Sequence, residues 1–172
     1  MMIKAIQDNS YLIKPITSSN REEIKHLYDL CSDYHIMCSG KNATYENIDS
    51  IFEYSDKKTS EDSLTLGVYN KCDLLIGMVD IFKNYPDNGI WMIGLLLLSP
   101  NERNKRLGKI VHEEISKYAL MQGANTLRIG VVEQNTKGLK FWKSLGYHQV
   151  KSTTINMGDK ESNLIILNLS LK

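Results

Sequence analysis

Between Arg103 and Lys109 the chain carries four cations and no acid. Just before them, Ile90 to Leu98 is almost continuously apolar, and Pro100 stops that run. Just after, Leu107, Ile110, Val111, Ile115, Tyr118 and Ala119 recur at the spacing of one helical face. A buried strand, a short basic turn and a fresh helix N-terminus make an anion site, because the first backbone N–H groups of a helix have no acceptor inside it. A solvated helix start would carry the same residues, so this cluster alone leaves both readings open.

The composition narrows the classes. At 172 residues the chain fits one domain, residues 1–172, with enough length to bury a core. Formal net charge is +1, so no global field points to nucleic acid or an anionic membrane as partner. Leu95–Leu98 is too short to span a bilayer. Cys31, Cys38 and Cys72 form no CxxC pair and leave one unpaired, which fits free thiols in a reducing cytoplasm. With His26 or His35 they match no standard zinc spacing, so no metal is expected. Lys4, Gln7 and Asp8 break the apolar character that a signal peptide needs, and the expected location is cytoplasmic.

The elements that must position the basic turn follow from periodicity. Tyr11–Ile16 reads as a short strand with Pro15 at its end or at a sheet edge. Thr17-Ser18-Ser19-Asn20 offers caps for a helix from Arg21, with Ile24, Leu27, Tyr28 and Cys31 as its stripe. His35 to Tyr45 reads as irregular, Glu46 to Tyr54 as a second helix and Asp56 to Asp62 as a loop. Ser63–Tyr69, Leu74–Phe82 and Ile90–Leu98 are three successive strands with turns between them. The basic turn and a helix to Gln122 follow, then a strand at Thr126–Val132 and a helix at Lys137–Leu145. Tyr147–Ile155 and Leu164–Leu171 close the series as an antiparallel pair. The order predicts a mixed α/β domain of seven strands and about four helices.

Two segments then match one family. Leu98-x-Pro100-x-x-Arg103-x-x-x-Leu107-Gly108 resembles the acyl-CoA signature of the GNAT N-acetyltransferases. Asn135-x-x-Gly138-x-x-Phe141-Trp142-x-x-x-Gly146-Tyr147 is similar to the family's second conserved segment. The resemblance implies a mostly antiparallel seven-stranded sheet whose two central parallel strands splay apart. Two departures stand out. Arg106 replaces the family's first Gly, which a non-Gly residue tolerates where the backbone is helical rather than left-handed. Trp142 stands where many members place a tyrosine that protonates the departing thiolate, and an indole N–H cannot supply that proton.

What the resemblance implies for single residues is specific. The cofactor is acetyl-CoA, used as co-substrate. Its pyrophosphate would meet the amides of Asn104, Lys105, Arg106, Leu107, Gly108 and Lys109, with charge from Arg103, Lys105, Arg106 and Lys109. Its pantetheine arm would lie along the backbone of Leu96, Leu97 and Leu98, the Leu98 N–H facing the thioester carbonyl. Asn135 would hydrogen-bond the cofactor or simply cap its helix. Attack by a neutral amine needs a proton acceptor, and Glu133 and Asp80 are the candidate catalytic carboxylates. The acceptor, a small-molecule or peptide amine, would sit against the segment Tyr28 to Tyr45, with Tyr34, His35 and Tyr45 as contacts. A homodimer is an expectation by analogy only. The alternative is the same fold holding acyl-CoA as a sensor or subunit without turnover.

Overall fold

The computed structural model describes residues 4–6, 10–57 and 62–172, with side chains for 10–53 and 62–172. Along the chain come β1 (Lys4–Ile6), β2 (Tyr11–Pro15), α1 (Arg21–Leu30), α2 (Ser32–Ser39) and α3 (Tyr45–Lys57). Next are β3 (Ser63–Asn70), β4 (Leu75–Phe82), β5 (Ile90–Leu98) and α4 (Leu107–Met121). The chain finishes with β6 (Thr126–Val132), α5 (Thr136–Ser144), β7 (His148–Met157) and β8 (Lys160–Ser170). One sheet holds all the strands in the order β1-β2-β3-β4-β5-β6-β8-β7. Every neighbouring pair is antiparallel except β5 with β6, which α4 joins by a crossover.

The seven expected strands are all present. An eighth, β1, pairs outside β2, so Pro15 marks the end of a covered strand rather than an edge. The predicted caps close a short 3-10 turn, Ser18–Asn20, that leads into α1: Thr17 accepts from the Ser19 N–H at 3.3 Å, and Asn20 accepts from the Thr17 N–H at 3.0 Å. A fifth helix, α2, runs into the stretch read as irregular and takes up its first part, as far as Ser39. Only Cys38 of its residues is buried, so it has no apolar stripe to read; its one local signal is Gly40, a left-handed C-cap at φ 80°. The predicted loop from Asp56 begins instead with the last two residues of α3, and its residues 58–61 lie outside the described residues.

Side-chain alternation along the central strands builds two apolar layers. Val79 of β4 faces Leu107, Val111, Ile115 and Trp142 on the α4–α5 side, while the adjacent Met78 faces Ile24, Leu27 and Ile48 on the α1–α3 side. Leu96 and Leu97 of β5 divide in the same way. Helices on both faces of a central parallel pair explain why β5 reads as continuously apolar.

One polar group is enclosed in the first layer. His112 is 4% exposed, with Nε2 2.9 Å from the Tyr147 hydroxyl and its ring edge-on to Trp142. Burial lowers its pKa from 6.5 to about 4, so it is neutral in the fold at pH 7. The unfolded chain binds the proton first on acidification, so this stabilisation is complete above about pH 6.5 and is lost as pH falls toward 4. The loss amounts to at most about 3 kcal/mol. The stability difference between wild type and His112→Gln, followed by thermal melting, is expected to shrink from pH 7 to pH 4.5. A difference that does not move with pH would remove His112 as its source.

Candidate active site

β5 and β6 pair only from Ile90 opposite Thr126 to Ile93 opposite Ile129. Beyond that point they part, and the cause lies on the other edge of β5. Asp80 faces Leu95 and Ile81 faces Ile93, which leaves Gly94 as an extra residue, a β-bulge. A bulge bends its strand and sharpens the local twist. That carries Leu95–Leu98 away from β6, which β8 holds along Thr126–Val132. Glycine is required in the bulge, since a Cβ on Gly94 would sit 2.8 Å from the Phe82 ring.

The register decides which peptide groups face the gap. Ser99 donates to the Ile76 carbonyl at 2.8 Å, and along an antiparallel ladder every second pair is hydrogen-bonded. Leu97 therefore bonds to Met78, while the peptide groups of Leu96 and Leu98 point away from β4 into the gap. The Leu98 carbonyl is already occupied, accepting from Arg103 Nε at 3.0 Å and Cys31 Sγ at 3.4 Å. A cavity of about 180 Å³ lies in the gap, between Gly94–Leu96 and Ile129–Val132, with Tyr34 and Cys38 of α2 over it.

The N-terminus of α4 opens beside the end of β5 and carries no cap. Arg106 is the N-cap residue, with no side-chain cap bond, and the first intrahelical bond runs from Ile110 N–H to Arg106 O at 3.1 Å. The N–H groups of Leu107, Gly108 and Lys109 thus have no helical acceptor. Asn104 and Arg106 both have left-handed backbones, at φ 61° and 64°, a conformation costing about 1–2 kcal/mol for a residue with a Cβ. Turns of this kind aim successive N–H groups at one point. Three of the four cations have carboxylate partners: Arg103 with Asp33, Lys105 with Glu102 and Lys109 with Glu113. Among the described residues, the exposed Arg106 has none.

Two carboxylates flank the gap on different terms. Asp80 is 9% exposed, accepts from Thr65 Oγ1 at 3.0 Å, and has Oδ2 directly behind Gly94, 3.6 Å from where a Cβ would be. Burial raises its pKa to about 6, against the lowering effect of the Thr65 and Ile81 hydrogen bonds. Glu133 is exposed beyond the end of β6 and accepts from Asn163 Nδ2 at 3.3 Å.

A strand gap lined by backbone, beside an uncapped helix start, is the arrangement that the two sequence motifs anticipated. The model of the acetyltransferase (GNAT) family matches residues 24–147. The chain belongs to the GNAT acetyltransferase family. Solved GNAT-type structures share the whole architecture. An acetyltransferase from Thermus thermophilus aligns over 94% of this chain and 97% of its own, with a TM-score of 0.80 at 17% identity. The ribosomal-protein-S18-alanine N-acetyltransferase from Escherichia coli aligns over 94% of each chain, with a TM-score of 0.71 at 13% identity. A spermidine N-acetyltransferase from Vibrio cholerae, solved with CoA and spermine, covers 94% of this chain and 96% of its own, with a TM-score of 0.73 at 8% identity. No curated protein matches the sequence.

The expected GNAT site residues do not all face the gap. Leu96, Leu98, Asn104, Lys105, Arg106, Gly108 and Lys109 lie along the gap or at the α4 start, although α4 begins at Leu107, later than the pattern predicts. Others turn elsewhere. Leu97 spends its backbone on β4 and its side chain in the core, and the Leu107 side chain is also core. Arg103 forks onto Asp33 at 2.5 and 3.1 Å. Arg106 is left-handed, contrary to the helical backbone under which its departure from Gly was acceptable. Gly108 packs on Phe141, whose ring would be 3.3 Å from a Cβ. Asn135 caps α5, accepting from the Gly138 N–H at 2.9 Å, and also borders the cavity.

Of the proposed acceptor contacts, Tyr34 lines the cavity, whereas Tyr45 lies between α1 and α3 under Arg21, bonded to Glu22. His35 packs against Tyr28 and has a buried Nε2 without a partner among the described residues. The sequence reading missed α2 as the cover of the gap. Its anchors come from distant elements: Arg103 at one end, and at the other Gln134 and Lys160, which donate to the Ile36 and Met37 carbonyls. No local pattern announces such contacts.

Arg106 gives a direct test of the loop's geometry. Arg106→Gly relieves about 1–2 kcal/mol of left-handed strain and loosens the unfolded chain by about 0.4–1 kcal/mol. Denaturant unfolding is expected to show a net gain of about 0.5 kcal/mol. A clear destabilisation would contradict the left-handed assignment.

Proposed function

We propose that the chain transfers an acetyl group from acetyl-CoA to a primary amine. The observation that carries this reading is the strand gap with the peptide groups of Leu96 and Leu98 turned into it, ending beside three free N–H groups of α4. A peptide-like pantetheine arm fits the first feature and a pyrophosphate the second. Arg106 adds an uncompensated cation to the phosphate end. Arg103 then serves as a positioning residue, holding the Leu98 carbonyl and α2, rather than as a phosphate ligand.

Transfer begins when the neutral amine nitrogen attacks the thioester carbon. The N–C bond forms, the carbonyl oxygen gains charge toward the Leu98 N–H, and the C–S bond then breaks to release the CoA thiolate. The amine must first lose a proton, since an alkylammonium has a pKa near 10.4. Asp80 is the better placed acceptor for that proton through water, being buried behind Gly94 with its pKa raised to about 6. Glu133, exposed and tied to Asn163, is the weaker candidate. The thiolate takes its proton from solvent or from the acceptor nitrogen, which is cationic after attack and sheds that proton as the amide forms. Trp142, packed among Phe141, His112 and Tyr147, has no acidic hydrogen to give. That substitution favours a second reading, acyl-CoA binding without turnover.

Asp80→Asn separates these readings. Turnover is expected to fall about 100-fold or more with CoA affinity, measured by calorimetry, unchanged, and the acidic limb of the pH–rate profile near pH 6 should disappear. Because the raised pKa makes ionised Asp80 costly as pH climbs through about 6, the same variant should melt at a higher temperature than wild type at pH 7.5. Wild-type protein that binds CoA yet releases no thiol with any amine would leave the sensor reading in place.

A further inference from the structure

The cavity wall built by α2, β7 and β8 consists of Tyr34, Cys38, Ile155, Met157 and Leu164. None of these carries a charge at neutral pH; burial pushes the Cys38 thiol above its usual range. The acids nearby are already committed. Asp33 is held by Arg103, Asp159 pairs with Lys41 at 3.4 Å, and Glu133 lies outside the cavity lining, bonded to Asn163. Asp80, behind the bulge, is likewise outside the lining, so among the described residues no carboxylate lines the cavity.

The fixed charge beside this wall is positive. Lys160 Nζ donates to the Ile36 carbonyl at 3.1 Å and to the Met37 carbonyl at 3.0 Å, and it is close enough to Cys38 to act on its thiol. A second ammonium brought into the cavity would lose its hydration without gaining a counter-ion, and would meet Lys160 as a like charge.

Building on the acetyl-transfer reading, we infer that the acceptor is a monoamine with an apolar body and that the cavity selects against polyamines. The wall supplies apolar contact to the carbon skeleton, and Met157 and Ile155 set the selectivity for charge at its far end.

Butylamine and 1,4-diaminobutane share one skeleton and differ by the second ammonium, so they isolate the effect. With acetyl-CoA and the full chain, kcat/KM for butylamine is expected to exceed that for the diamine by tenfold or more. Met157→Glu, which puts a carboxylate on the wall, should narrow or reverse the ratio, and Ile155→Glu repeats the test if the first variant does not fold. A wild-type ratio of one or below overturns the inference, as does a ratio that neither carboxylate moves. CoA binding without turnover of either amine also overturns it. Absence of CoA binding by calorimetry would instead remove the acetyl-transfer reading on which the inference rests.

Discussion

Everything at the site depends on one mismatch in a ladder of hydrogen bonds. Gly94 has no partner on β4, and the bend this imposes ends the pairing of β5 with β6 after Ile93 and Ile129. Peptide groups that fail to pair in a sheet interior are costly unless something satisfies them. The gap therefore stores hydrogen-bonding capacity that a ligand with amides of its own can use. Asp80 lies directly behind the same bulge, its Oδ2 3.6 Å from where a Cβ of Gly94 would be. A single inserted residue thus opens the slot and backs onto a buried carboxylate.

The loop before α4 shows a second case of local cost accepted at a site. Two residues with side chains, Asn104 and Arg106, hold left-handed backbones, and the helix they introduce has no side-chain cap. Stability alone would favour glycine in the turn and Ser or Asp at the cap. Strain and uncapped donors concentrated in one turn are the features that distinguish a binding loop from an ordinary helix start.

Most of the fold was legible because its signals are local. Strand β5 declares itself by an unbroken apolar run, α4 by its stripe, and the turn at Asp87-Asn88-Gly89 by its residue types. The candidate site was read from the same local signals, the apolar run of β5, the basic turn and the stripe of α4. Individual roles were not, because they depend on partners far away in sequence. Arg103, expected beside the phosphates, has its guanidinium on Asp33, 70 residues earlier, a partner that no local pattern shows. Leu97 and Leu98 look equivalent until the register with β4 separates them. Helix α2 has neither a buried stripe nor an N-cap bond, so its existence rests on contacts that no window of sequence contains.

Those contacts carry a consequence for the order of assembly. The bonds that hold α2 over the gap join residues separated by 70, 97, 123 and 124 positions. Closing such loops costs chain entropy before any single bond rewards it, so long-range contacts of this kind form after the local ones. The β4–β5 hairpin and α4 can form early from neighbouring residues. The cover over the cavity cannot, since it waits for the β7–β8 hairpin, made from the last part of the chain. The position of α2 over the cavity is therefore fixed only once the β7–β8 hairpin has joined the sheet.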